Sequence, residues 1–208
     1  MGLPPAASLI STFSPPAFLP KALFVAIFYG ISAIWERDLG ILQRYLVSPA
    51  PRSALVAGKA LSAGVRGLSQ TLIVYLLALL LGVGVSLDPI RIFGVAAIIV
   101  LGSGLFSTLS LIIACIVKTR ERFMGIGQVI TMPIFFASNA IYPLSLMPNW
   151  LRTVSHINPL TYEVDALRAL MLANVESEYG LIFDGAVLAA VSIVLVAIAS
   201  KMYARMAY

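Results

Sequence analysis

Long uncharged apolar runs alternate along this chain with short charged segments, the pattern of a protein that crosses a lipid bilayer several times. The first run, 17–35, has Lys21 close enough to one end to snorkel and Trp35 suited to the opposite interface. The second, 53–85, would be about 50 Å long as a helix against a hydrocarbon core of about 30 Å, so part of it is expected to leave the bilayer. Lys59, Ser62, Arg66, Ser69 and Gln70 recur there at helical spacing, forming a polar stripe that ends before TLIVYLLALLLGVGV. Runs 92–117, 123–147 and 181–200 complete five expected spans, the fourth with a kink expected at Pro133.

Composition removes the soluble alternative. The chain is 60% hydrophobic and 11% charged with mean hydropathy +0.98, whereas soluble domains carry about one quarter charged residues. A net charge of +5 and a pI near 9.6 would raise nucleic acid as a partner in a soluble protein; here they fit cationic loops, and the bilayer is the expected partner, not nucleic acid. Cys115, the one cysteine, lies in an apolar run. It reads as a buried structural thiol, since neither an intrachain disulfide nor a thiolate cluster can be built from it.

The cations set an orientation. With 36–59, the KTRER loop and the C-terminus on one side, that side holds Arg37, Arg44, Arg52, Lys59, Lys118, Arg120, Arg122, Lys201 and Arg205. The other side holds Lys21, Arg91, Arg152 and Arg168, with Arg66 set aside. The first side is therefore expected to be cytoplasmic, placing the C-terminus inside and the N-terminus outside. The expected layout is one transmembrane domain over 1–208, with an N-terminal segment 1–16, a cytoplasmic connection 36–52 and an outer loop 148–180. MGLPPAASLISTFSPP has no basic start and no cleavage site after an apolar core, so it does not read as a signal peptide.

Catalytic patterns are missing from the sequence. It has no G-x-x-x-x-G-K-[ST] loop, no H-E-x-x-H and no paired C-x-x-C, so no catalytic residue, metal or cofactor is expected, and the chain is not expected to hydrolyse ATP itself. The lone histidine, His156, reads as an interface residue. An ion-coupled carrier would need ionisable groups near the bilayer midplane, and no expected span has a carboxylate in its middle. LGSGLFSTLS in the third span reads as a close-packing face or a small-residue conduit, and GIGQVITMP in the fourth reads the same way.

Two segments carry the remaining information. In ERDLGILQRYLVSPAPR, residues 36–52, Leu39, Leu42 and Leu46 fall at i, i+3 and i+7, with Asp38, Gln43 and Arg44 on other faces. This amphipathic helix, ended by Pro49, either lies among headgroups or is a lever gripped by a cytoplasmic partner. In NPLTYEVDALRALML, Asn158 is a good N-cap and Pro159 suits the first helical position. Leu160, Val164, Leu167 and Met171 line one face, while Asp165 and Arg168 at i, i+3 are expected to pair. Charges at Glu163, Asp165 and Arg168 argue for a short outer helix that dips back between the spans.

At these two segments the sequence resembles a known family. WERDLGILQRYLVSPAPRSALVAGK is similar to the cytoplasmic loop of ABC-2 type transporter permeases, the membrane subunits of ATP-driven exporters such as the daunorubicin-resistance pumps. SNAIYPLSLMPNWLRTVSHINPLTYEVDALRALM is similar to their outer loop, and the likeness runs over 18–208. The resemblance implies an ABC-2 type bundle of about five transmembrane helices with a cytoplasmic coupling helix and short outer re-entrant helices. It implies that Glu36, Arg37, Gly40, Leu42, Leu46, Pro49, Arg52, Gly58 and Lys59 couple to an ATPase. It likewise implies an outer gate at Asn158, Pro159, Tyr162, Asp165 and Arg168, and Asn139 stands where many relatives have Gly. Family members usually begin with a cytoplasmic amphipathic helix and one more span, so a misassigned start or a truncation is expected ahead of the matched region.

The function so implied is that of an export permease in the cytoplasmic membrane of a prokaryote. It would pair with a second permease copy and join separate ATP-binding cassette ATPase subunits. The substrate would be amphipathic or lipophilic, drug-like or lipid-like; polysaccharide and lipid-linked glycan exporters share the architecture. A non-transporting assembly or anchoring subunit is the alternative, and an ion-coupled carrier fits least.

Overall fold

A computed structural model of the chain describes residues 52–80, 85–117, 119–140, 147–172 and 176–202. The first expected span and the coupling residues Glu36, Arg37, Gly40, Leu42, Leu46 and Pro49 lie outside them. The described residues form α1 (Arg52–Leu80), α2 (Pro89–Ile116), α3 (Arg120–Phe136), α4 (Asn149–Ile157), α5 (Pro159–Met171) and α6 (Leu181–Met202). Among them α1, α2 and α6 are long and apolar enough to cross a membrane, and no strand occurs.

The helix starts follow local chemistry. The Asp88 carboxylate accepts from the Ile90 N–H at 3.1 Å and Pro89 fills the first turn, so α2 begins on a cap and a fixed φ. Glu121 stands in the first turn of α3, where its charge complements the helix dipole.

α3 corrects the expected fourth span, because its helix ends at Phe136 instead of running to residue 147. Ser138 accounts for the stop. Its hydroxyl donates to the Phe135 carbonyl at 2.7 Å and accepts from the Ala140 N–H at 3.3 Å, an alternative to the helical ladder. Pro133 lies inside the helix, yet α3 continues past it. The 17 residues of α3 span about 25 Å, short of a hydrocarbon core of about 30 Å.

α1 and α2 run antiparallel in close contact. Ala60 lies against Gly104, Gly64 against Val100, and Gly67 against Ile99 and Ser103, where a Cβ on Gly67 would strike the Ser103 hydroxyl. LGSGLFSTLS therefore forms a packing seam, and Gly102 to Thr108 are all buried. The polar stripe turns the other way: Ser62, Arg66 and Ser69 are exposed on α1 beside Leu61, Val65, Leu72 and Leu76.

Two apolar clusters fill the interior. At the end of the bundle that holds Leu80, Pro89 and Leu181, here named the cap end, Val95, Ile99, Phe106, Leu160, Leu167, Met171 and Leu188 pack together. At the opposite, base end Val56, Leu111, Ala114, Phe123 and Ala199 do the same, anchoring the start of α3. α6 touches α1, α2 and α5, which makes it the shared wall of the bundle.

Candidate functional site

The site is built on a helical hairpin, α4 and α5. Pro148 opens α4 through its carbonyl, which accepts from the Leu151 and Arg152 N–H groups at 3.0 Å each. One face of α4, with Trp150, Val154 and Ile157, is exposed. On the other, the buried Ser155 hydroxyl lies 3.0 Å from the Thr161 hydroxyl, and the Tyr162 hydroxyl donates to the His156 carbonyl at 2.6 Å. These contacts pin the two arms together.

Asn158 holds the apex. Its side-chain oxygen accepts from the Leu160 N–H at 3.0 Å, capping α5 ahead of Pro159 as the sequence implied. Its amide nitrogen donates to the Ile134 carbonyl at 2.6 Å, near the end of α3, so one side chain ties the hairpin to a second helix.

The depth of the apex follows from the register between α5 and α2. Leu170 packs on Gly94 and Glu163 on Gly102, an antiparallel alignment. At the cap end the Met171 carbonyl accepts from the Ser86 N–H at 2.8 Å, and Val85 and Leu172 form an isolated β-bridge. Arg91 adds a bond to the Leu172 carbonyl at 3.3 Å. Gly102 lies about 20 Å below Pro89, near the middle of α2, so the hairpin dips from the cap end into the heart of the bundle.

Buried carboxyls distinguish this hairpin. Glu163 is fully buried, both its oxygens lack a hydrogen-bond partner among the described residues, and its carboxyl presses on Gly102. Burial pushes it well above the usual carboxylate range; a charge left there without partners would cost several kcal/mol, which favours the neutral acid. Asp165 is buried too but well satisfied: it accepts from the Ser177 hydroxyl at 2.9 Å, the Glu178 N–H at 2.8 Å and the Tyr179 N–H at 3.4 Å. The same hydroxyl lies 2.8 Å from a carboxylate oxygen of Asp184 in α6 and accepts from the Gly180 N–H at 2.7 Å. A serine has one hydrogen to donate, so both carboxyl contacts are hydrogen bonds only when one carboxyl carries a proton.

Arg168 and the aromatic residues complete the site. Among the described contacts the expected Asp165–Arg168 pair is replaced by separate partners, with Arg168 donating to the Asn139 carbonyl at 3.0 Å. Burial lowers the Arg168 guanidinium from its ordinary value, an effect opposed by the nearby charges of Asp165 and Glu178. Tyr179 packs at 5.2 Å from Tyr162 and hydrogen-bonds His156 Nδ1 at 2.9 Å. Its phenol is pushed up to about 12 by burial first and by Glu178, Tyr162, Asp165 and Asp184 after it. Arg168→Ala is expected to lower stability by about 1–2 kcal/mol by leaving the Asn139 carbonyl without its charged donor. The apparent unfolding midpoint in detergent measures this, and an unchanged midpoint would show the contact to be inert.

Thus Asn158, Pro159, Tyr162, Asp165 and Arg168 all belong to one hairpin, whereas Arg52 and Lys59 stand in the base half of α1, away from it. The sequence reading missed Glu163, Ser177, Tyr179 and Asp184. A signal for Glu163 existed, because it lies three residues after Leu160 and four before Leu167, on the apolar face of its own helix.

Spanning helices packed through a small-residue seam, with a hairpin inserted from one end, define a multi-pass helical membrane protein. Residues 17–172 match the family described as ABC-2 type transporter, and the chain belongs to that family. It is similar to a putative transport permease, ycf38, of Cyanophora paradoxa, 29% identical over 163 residues that cover 74% of this chain and 54% of the relative. It is also similar to the inner membrane transport permease YadH of Escherichia coli K12, 25% identical over 61% of this chain and 48% of the relative. A shorter likeness, 28% over 69 residues, links it to nodulation protein J of Rhizobium meliloti. The matches with the two permeases span about half the length of each.

Proposed function

We propose that this chain is the transmembrane permease subunit of an ATP-binding cassette exporter, working as one domain over 1–208 and energised by ATP hydrolysed on a separate subunit. Two copies form the pathway. The substrate is amphipathic or lipophilic, in keeping with α2 and α6, which carry no charge between Arg91 and Ile116 or between Asp184 and Lys201. The cap end faces outward and the base end, with Arg120, Arg122 and Lys201, faces the cytoplasm. The observation that carries this reading is the re-entrant hairpin held at its apex by Asn158 in a member of the ABC-2 type family. ATP binding draws the ATPase subunits together, the 36–52 helices follow, and the bundle switches access while the hairpin gates the outer end.

The test is a charge in the coupling helix. Leu42→Glu is expected to weaken ATPase binding by about 2 kcal/mol or more, over about tenfold in affinity, because a docked leucine contact is desolvated. The variant should still accumulate in the membrane, fail to retain the ATPase on purification, and lose export with substrate-stimulated ATP turnover. Arg44→Ala should be milder, since a solvated charge contributes little. Full ATPase retention and export by Leu42→Glu would return the 36–52 helix to the lipid surface and remove this coupling role.

A further inference from the structure

A carboxyl group halfway down a membrane bundle, without a hydrogen-bond partner among the described residues, is an unusual thing for a folded chain to keep. Glu163 has 0% exposure, and neither oxygen has a hydrogen-bond partner among the described residues. Its place is not on a spanning helix but on a hairpin seated from one end, with its acid group against Gly102 of α2. A side chain that is neutral when the hairpin is seated and ionises in contact with water binds a proton in one position of the hairpin and releases it in the other.

We propose that Glu163 is a proton-binding site that controls seating of the hairpin: α5 docks on α2 only with Glu163 as the neutral acid, taking one proton from solvent on closing and returning it on opening. Between Arg91 and Lys118 the only titratable residue of α2 is Cys115; α6 brings Asp184 and Lys201, and α4 brings Arg152 and His156. α5 itself carries Tyr162, Asp165 and Arg168, α1 carries Arg52, Lys59, Arg66 and Tyr75, α3 carries Arg120, Glu121 and Arg122, and the 176–180 segment bonded to α5 carries Glu176, Glu178 and Tyr179. None of these is hydrogen-bonded to a Glu163 oxygen. Because the seated form holds the proton more tightly than the open form, seating is fully favoured below the ordinary carboxylate range and is lost as pH rises above it. This goes beyond the permease assignment and is independent of the substrate.

The experiment follows hairpin seating directly. In the full chain carrying Cys115→Ser, reconstituted in nanodiscs so that both faces meet solvent, a cysteine is placed at Ala166, which is 0% exposed on α5. Its maleimide labelling rate is divided at each pH by that of a cysteine at the exposed Thr153, which removes the intrinsic pH dependence of the thiol. The expected result is a rise of about tenfold or more in the normalised rate between about pH 5 and about pH 9. Glu163→Gln and Glu163→Met, neutral at every pH, should both give slow, flat profiles. A flat profile with Glu163 in place would overturn the proposal, and so would the same rise in either variant, which would assign the titration to another group. Fast labelling of both variants at low pH would overturn it too, because a neutral side chain of similar length should let the hairpin seat.

Discussion

Asn158→Ala is expected to destabilise the protein by about 3 kcal/mol, made up of about 1 kcal/mol for the lost helix cap and about 2 kcal/mol for a carbonyl left without its donor. The losses combine because a single side chain makes both bonds, to the Leu160 N–H at 3.0 Å and to the Ile134 carbonyl at 2.6 Å. Asn158→Asp separates them: the carboxylate keeps the cap but presents an acceptor to the Ile134 carbonyl, so it should be at least as destabilising as alanine. The apparent unfolding midpoint in detergent reads both variants. Aspartate behaving like asparagine would mean that the apex is not tied to α3.

The second large effect is expected at Gly102. A methyl group there would occupy the space of the Glu163 carboxyl, so Gly102→Ala has to displace α5 or force Glu163 off its rotamer, at a cost of about 2–3 kcal/mol. Glu163→Ala alone leaves a void and is destabilising for the opposite reason. Combined, the two changes should recover part of the loss, with a coupling of about 2 kcal/mol in a double-mutant cycle. Additive costs would show that the two residues do not touch.

Most of the bundle was legible because apolar run length maps directly onto helix length: the observed α2 and α6 differ from the expected 92–117 and 181–200 by a few residues at their ends. The start of α5 was legible too, since an Asn-Pro cap is a local signal read within a few residues. The end of α3 was not, because apolar residues continue past Phe136 and the stop depends on a serine bonding back to the main chain. For Asp165 and Arg168 the i, i+3 spacing encodes a local pair, but the 176–180 segment returns from farther along the chain and takes Asp165 for itself. Glu163 escaped for a related reason. Carboxylates were sought within spans, and this one is carried to mid-depth by a 13-residue helix too short to span.

The cap end of α5 is fastened by main-chain atoms: the Ser86 N–H to the Met171 carbonyl, and the bridge between Val85 and Leu172. Apart from Arg91, which donates to the Leu172 carbonyl, no side chain among the described residues makes that fastening, so the identities at 86 and 172 can drift while the anchor persists, provided the backbone donor at 86 is kept. What has to be preserved is the number of residues between the anchor and the apex, which fixes how deep Glu163 reaches. Comparing relatives one position at a time would pass over this constraint; an insertion or deletion within 159–171 would expose it.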